Sequence, residues 1–547
     1  MGRWTAVAIL AAAQFVMVLD SSVMNVSITQ IVADLDTTVG GVQLAITAYT
    51  LVMAAFMLVG AKIGDIWGRE RAFAIGLGVY GTGSFITSIS PNLPVLLFGW
   101  SLIEGLGAVM VIPAIAALIA ANYEGRERAL AYGIIGGVAA AAIAVGPVIG
   151  GWVTSAYTWR LVFVGEVVAV IAIVLLRGRL KPSPRGEHIP DLDVVGAALS
   201  AIGLALVVFG ILGSSSWGWI LPKDAPEIGG QPIMPLGFSV VPFLILGGLV
   251  VLGLFTAWEE RRERLGKDAL VDLSMLSIET LRAGLTSLGM QQLILLGTFF
   301  VLPVYLQVVL GLDAFETGLR LLPMSVTMLI AALGGPRLAA RRSPKRVVQV
   351  GLIALAIASV GLEATVNLEL NDIGFALALA VFGVGVGLLA SQLGNVIMSS
   401  VAPAQTNEAG GLQGTAQNLG ASLGTALIGA ILLGALSSGF AERVSGNPAI
   451  PADLRAVLTE YASSEGLDVL PVDEVEAVLV QAGVSADDAA TVALEYSNAQ
   501  LEALKIALGA VGVFAVLGLW FTRRLPDHPL GDPVAAAGSG EEDPPEQ

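Results

Sequence analysis

Three acidic side chains stand inside apolar runs: Asp20 in FVMVLDSSVMN, Glu104 in GWSLIEGLGAVM and Glu166 in RLVFVGEVVAVI. A charged carboxylate in hydrocarbon costs a few kcal/mol or more, so such acids face a cavity or a partner and mark a pathway. Desolvation disfavours the charged form, so an acid placed there can take up and release a proton, and acids sharing one cavity titrate as a set. Met17, Asp20 and Met24 share a helix face at i, i+3 and i+7. With Asn25 they would suit bulky apolar or cationic molecules, the thioethers adapting to shape. Plainer readings stand beside these: Ser21 or Ser22 satisfies Asp20, and Glu166 reaches the surface near Arg160. Glu363 reads as interfacial, and Glu408 as an anion at a helix start. In the second half the deep polar residues are amides: Gln291, Gln292, Gln307, Gln392, Asn395, Gln413, Gln417 and Asn418. Amides bond a substrate without burying charge, and some bridge helices. The division suggests proton handling in the first half and a largely neutral substrate wall in the second.

The elements that must hold these groups are membrane helices. The chain has 547 residues, 55% hydrophobic and 13% charged, with a mean hydropathy of +0.81. That charged share is about half the globular norm, and apolar runs long enough to cross a bilayer recur throughout. Fourteen spans are read, near 6–32, 42–60, 72–90, 94–121, 129–153, 159–177, 192–213, 237–258, 281–303, 315–335, 346–366, 373–399, 408–436 and 501–522. With both termini cytoplasmic, the inner loops hold 22 of the 28 Lys and Arg residues, as the positive-inside rule requires. No cleavable signal is evident, because the first apolar run is too long for one. A net charge of −16 excludes a basic, nucleic-acid-binding surface. The absence of cysteine excludes disulfides and thiol metal sites, and His188 and His528 lie in polar segments. No metal and no cofactor is expected, protons serving as the coupling ion. The stretch 437–500 is polar and acidic, with helix signals at Pro451 and at Ser485-Ala-Asp-Asp; it reads as a small extracytoplasmic helical subdomain, its plainer reading a solvated loop. The tail 526–547 is compositionally disordered.

The chain repeats internally. GAKIGDIWGRERAFAIGL from Gly60 aligns without a gap on GPRLAARRSPKRVVQVGL from Gly335. Spans two and three thereby correspond to spans ten and eleven, as in a parallel duplication of six-span halves, a transporter architecture. Domains are expected at 1–190 (six helices), 191–260 (two inserted helices) and 261–525 (six helices with the 437–500 loop).

Here the sequence resembles the major facilitator superfamily, and within it the fourteen-span drug:proton antiporters (DHA2-like). Gly60, Gly64, Asp65, Gly68 and Arg69 are similar to the signature loop between spans two and three. Gly133, Ala142, Gly146, Pro147, Gly150 and Gly151 are similar to the exporters' fifth-span motif, with one glycine replaced by alanine. LDSSVMNVSI resembles the acidic first-span motif. The chain departs from the pattern at Ile66, at Glu70, at Ser101-Leu-Ile-Glu104-Gly105 where an arginine is usual, and at Glu166 where relatives have Asn-x-Pro. The resemblance implies an all-α major facilitator fold and a latch in which Asp65 meets the start of span thirteen. Gly146-Pro147 weakens the helix ladder, and the fifth-span glycines admit another backbone, so a sealing seam is expected there. The implied function is a proton-coupled exporter of amphipathic or lipophilic compounds such as drugs, monomeric in the cell membrane and not an enzyme. Its partners would be a small-molecule amphipathic or lipidic substrate and membrane lipids, and Asp20, Glu104 and Glu166 would be its coupling acids. Export or flipping of a lipid or cell-envelope precursor is an alternative. A transporter-like receptor or scaffold, working through the outer subdomain, is another.

Overall fold

The computed structural model describes residues 4–123, 125–180, 191–228, 231–339, 341–402, 405–464 and 466–527. The tail beyond 527, and the basic stretch holding Lys181, Arg185 and His188, lie outside them. The chain folds as helices. First come α1 (Thr5–Val26), α2 (Ile28–Leu35), α3 (Val39–Trp67), α4 (Arg69–Ser88), the short α5 (Leu93–Leu96), a π-helical stretch (Leu97–Glu104), α6 (Gly105–Asn122), α7 (Gly125–Ala156) and α8 (Arg160–Leu176). Then follow α9 (Val194–Trp217) and α10 (Val240–Arg264), joined through the two-residue strands β1 (Glu227–Ile228) and β2 (Gln231–Pro232). The last part holds α11 (Glu279–Pro303), a second π-helical stretch (Val304–Val309), α12 (Ala314–Ala339), α13 (Pro344–Thr365), α14 (Asp372–Ser399), α15 (Thr406–Gly446), α16 (Ala452–Ser464), α17 (Val472–Gln481) and α18 (Ala486–Phe521).

Thirteen helices among the described residues are long and apolar enough to cross a membrane, where the sequence suggested fourteen spans. The difference is α4. Its 20 residues would span about 30 Å, but Arg69, Glu70, Arg71 and its Gly, Ser and Thr residues dilute its hydropathy. It packs along α6 and α8. The first expected span, 6–32, breaks at Ser27, whose hydroxyl lies 2.8 Å from that of Thr154. The aligned repeat segments start their helices in register: Arg69 opens α4 behind Gly68, and its aligned partner Pro344 opens α13 behind Ser343. Gly68 takes φ 91°, a left-handed turn only glycine adopts freely.

The 437–500 stretch is helical, as its caps implied: α16 begins just after Pro451, and Ser485 accepts the Asp488 N–H at the head of α18. The flanking helices are longer than the spans read from sequence. α15 has 41 residues and α18 has 36, about 60 and 54 Å of helix against a hydrocarbon layer of about 30 Å. Both project beyond it and are clamped together there, with Arg443 bridging Glu495 and Glu502.

Alternating helix direction gathers Lys62, Arg69, Arg177, Arg261, Arg282, Arg337 and Arg523 at one end of the molecule, the basic end. The opposite, acidic end is sealed. Gln43 donates to the Thr425 and Ala426 carbonyls of α15. Gln307 donates to the Val26 carbonyl and accepts from Thr29. A Cβ on Gly151 of α7 would lie 2.2 Å from the Ala314 carbonyl oxygen of α12.

Candidate functional site

Asp20, Glu104 and Glu166 come together. One carboxylate oxygen of each lies within 4.8 Å of the others, and the residues are 0%, 0% and 3% exposed. α1, the first π-helical stretch and α8 supply them, and α4 lies against the latter two. The close approach has a glycine cause. A Cβ on Gly83 would lie 2.5 Å from the Glu104 backbone nitrogen, and one on Gly107 would lie 2.4 Å from that of Tyr80. Only bare backbone at these positions lets α4 and α6 touch, and that contact sets the depth of Glu104.

Each acid has a different surrounding. The Trp100 indole N–H points at both Asp20 oxygens, 2.9 and 3.0 Å away. Trp100 is held by Tyr49, stacked at 4.6 Å with an interplanar angle of 2°. Trp100 and Glu104 stand four residues apart in the π-helical stretch and so face the same side; such stretches recur at functional sites. The Tyr80 hydroxyl and Ser84 Oγ approach Glu166 Oε2 at 3.4 and 3.1 Å. Among the described residues, neither Glu104 oxygen meets a donor. No lysine or arginine among them forms an ion pair with any of the three. Arg160, the expected surface partner of Glu166, is engaged elsewhere: with Asp34 at 2.5 Å, with the Ser90 carbonyl and over the Trp159 ring. Glu166 therefore does not reach the surface, and Ser22 does not serve Asp20, since its hydroxyl points at the Val18 carbonyl.

The oxygen spacing would also admit a metal ion. Trp100 faces Asp20, and Tyr80 and Ser84 face one oxygen of Glu166, while Glu104 and the other Glu166 oxygen meet no donor among the described residues.

Other sequence-derived residues are placed as follows. Met17 and Met24 are buried beside Asp20, and Asn25 donates to the Ser21 carbonyl. Gln291 bridges α11 to the Val386 carbonyl, Gln392 bonds Ser391, and Gln307 sits in the acidic-end seal. Gln292 and Gln417 are half-buried and Asn395 is exposed. Asp65 pairs with Arg69 at 2.9 Å within its own segment, and Gly60 presses on the Val109 carbonyl of α6. Lys62 donates to the Ala269 carbonyl. The fifth-span glycines divide by position. Gly146 and Gly150 lie against Ser22 and Val23 of α1, and Gly151 against α12. The Pro147 carbonyl meets Gly318 of α12. Gly133, toward the basic end of α7, has nothing within 4 Å of where a Cβ would stand.

Sequence reasoning missed Trp100, Tyr49, Tyr80, Ser84 and Gln43. Gln43 carried a usable signal as a lone amide in an apolar run.

A family model described as Major Facilitator Superfamily matches residues 10–425. The chain is 31% identical over 463 residues to a puromycin resistance protein of Streptomyces alboniger, covering 82% of this chain and 86% of that one. It is 28% identical over 494 residues to a probable actinorhodin transporter of Streptomyces coelicolor, covering 86% and 82%. Among solved structures, a bacterial homolog of the human lysosomal transporter Spinster superposes with a TM-score of 0.59 at 12% identity, covering 96% of this chain and 97% of that one.

Proposed function

Because the chain belongs to the Major Facilitator Superfamily, we propose that it is a proton-coupled exporter of amphipathic or lipophilic compounds, an antiporter working by alternating access. The observation that carries this reading is the group of three carboxylates within 4.8 Å of one another, with no ion-pair partner among the described residues. At an effective dielectric of about 20, each pair of full charges at that distance repels by about 3.5 kcal/mol. The group is relieved by protons, and how many it holds depends on which side can reach it. In this structure it is closed off, and the acidic end is sealed by Gln43, Gln307 and Gly151.

The cycle follows from that arrangement. Protons arriving through an opened acidic end neutralise the cluster, and a neutral cluster can be carried inside the closed bundle. Opening at the basic end, taken as cytoplasmic by the positive-inside rule, releases protons and admits the next substrate. One proton entering is worth about 2.3 kcal/mol per 100 mV and about 1.4 kcal/mol per pH unit. Together these would concentrate a neutral substrate several hundredfold. The relatives named for puromycin and actinorhodin support a drug-like substrate class.

A lipidic substrate is the second reading. Its support is the basic-end part of the α7–α12 region, where Gly133 is uncovered and Ile330 and Leu333 are exposed. An uncovered apolar surface of this kind offers a lipid tail a place to lie against the helices.

The test uses the purified protein in liposomes, an imposed pH gradient and a fluorescent lipophilic dye. Gradient-driven dye movement is expected for the native chain, and Asp20→Asn is expected to reduce it at least tenfold. Undiminished movement in Asp20→Asn would overturn the reading.

A further inference from the structure

The three acids differ in what surrounds their oxygens, and that difference assigns the proton. Asp20 has the Trp100 N–H directed at both oxygens, 2.9 and 3.0 Å away. Glu166 has the Tyr80 and Ser84 hydroxyls directed at Oε2. Both hydroxyls also lie near Glu104 without reaching hydrogen-bond geometry, and each carries one hydrogen. Ser84 Oγ also faces the Tyr80 carbonyl at 3.2 Å, and Glu166 Oε1 meets no donor among the described residues. Both Glu104 oxygens are fully buried without a donor among the described residues. An ionised carboxylate wants several donors, and burying it bare costs several kcal/mol. A protonated carboxyl lacks the charge and brings its own donor, with the Asp20 and Glu166 oxygens within 4.8 Å. The titratable groups facing Glu104 are Asp20 of α1, Tyr49 of α3, Tyr80 of α4 and Glu166 of α8. All are acids or phenols, and none supplies positive charge.

We propose that Glu104 carries the resident proton of the closed carrier, while Asp20, held by the indole of Trp100, is its ionised neighbour. Glu104 is then the group loaded first and emptied last, and Trp100 is a positioning residue acting through Asp20. The proposal rests on the proton-coupled reading of the site and adds an order of occupancy within it.

Infrared spectroscopy of the detergent-purified full chain tests the assignment. A protonated carboxyl has its own C=O band, and carbon-13 glutamate shifts that band for Glu while leaving Asp in place. The native protein at neutral pH is expected to show a glutamate component that disappears in Glu104→Gln and persists in Glu166→Gln. Glu259, buried at the basic end near Asp193, is subtracted with Glu259→Gln. The reverse pattern overturns the proposal, as does a band that fails to shift with labelled glutamate, or no glutamate band beyond that of Glu259. The isotope shift is read on the native chain, so it stands even if a variant fails to fold. No gradient or substrate is involved, so a carrier that ignored pH in liposomes could still return the band, and the two failures are distinguishable.

Discussion

Gly83 and Glu104 meet backbone to backbone: a Cβ on the glycine would lie 2.5 Å from the glutamate nitrogen and 2.6 Å from its Cβ. The depth of the acidic side chain that closes the first π-helical stretch is thus set by a missing methyl group on α4. Gly83→Ala is expected to push the π-helical stretch away and cost about 1–3 kcal/mol, the usual penalty for overpacking. The checks are a lower melting temperature in detergent and loss of gradient-driven transport. Gly78→Ala, at a position with nothing within 4 Å, is expected to change neither.

Trp100→Phe keeps the stack on Tyr49 and removes the N–H that faces Asp20. A buried acceptor left without its donor costs about 1–3 kcal/mol. The expected outcome is a displaced pH profile of transport. A double-mutant cycle with Asp20→Asn should give a combined cost well below the sum of the two. Additive costs would mean that the indole only fills space.

Asp468 supplies a pH dependence outside the membrane. It sits in the loop before α17, and its carboxyl faces the Gly40 N–H and the Thr38 hydroxyl at the head of α3. Burial raises it above the usual carboxylate value, outweighing those two nearby donors. Tyr496 of α18 donates to its backbone carbonyl, and Glu474 of α17 acts on that tyrosine. A carboxyl raised by folding contributes stability that is complete below its unfolded value of 3.8 and is lost as pH climbs through the higher docked value. Mild acid therefore strengthens the docking of this turn on α3. Asp468→Asn is expected to flatten that part of the melting-temperature profile and to leave neutral-pH stability equal or higher, measured by thermal denaturation across acid pH.

Gly151→Val should disturb the acidic-end seal, since the Ala314 carbonyl oxygen lies 2.2 Å from any Cβ there. About 1–3 kcal/mol of overpacking corresponds to roughly a 5- to 150-fold change in the ratio of open to closed forms. The chain has no cysteine, so a single Thr29→Cys beside Gln307 reports cleanly. Its alkylation should be faster in the Gly151→Val background.

The acids of the cluster were legible because charge in an apolar run is costly, and Asp20, Glu104 and Glu166 each interrupt one. Their partners were not. Trp100, Tyr49 and Tyr80 are aromatic residues in apolar helices, where packing alone would place them. The π-helical stretch changes the helical period locally, and a membrane helix apolar on nearly all sides leaves little period to read. The amides showed the opposite limit: composition marked them as polar and deep, yet the bonds of Gln291 and Gln307 tie helices together. The register of the repeat was legible, with Gly68 and Ser343 both preceding a helix start. The count of spans transferred less well, because α4 is held by close glycine contacts and not by apolar bulk.

α15 and α18 run unbroken from the bilayer into the projecting part and are braced there by Arg443, Glu495 and Glu502. Such a pair is a pointer fixed to the moving machinery. A few degrees of tilt at membrane depth becomes a displacement of several ångströms at the tip, by simple leverage over about 60 Å of rod. Paired fluorophores at exposed Glu460 and at Trp219, on the loop between α9 and α10, would follow single turnovers from outside the bilayer without touching the path the cargo takes.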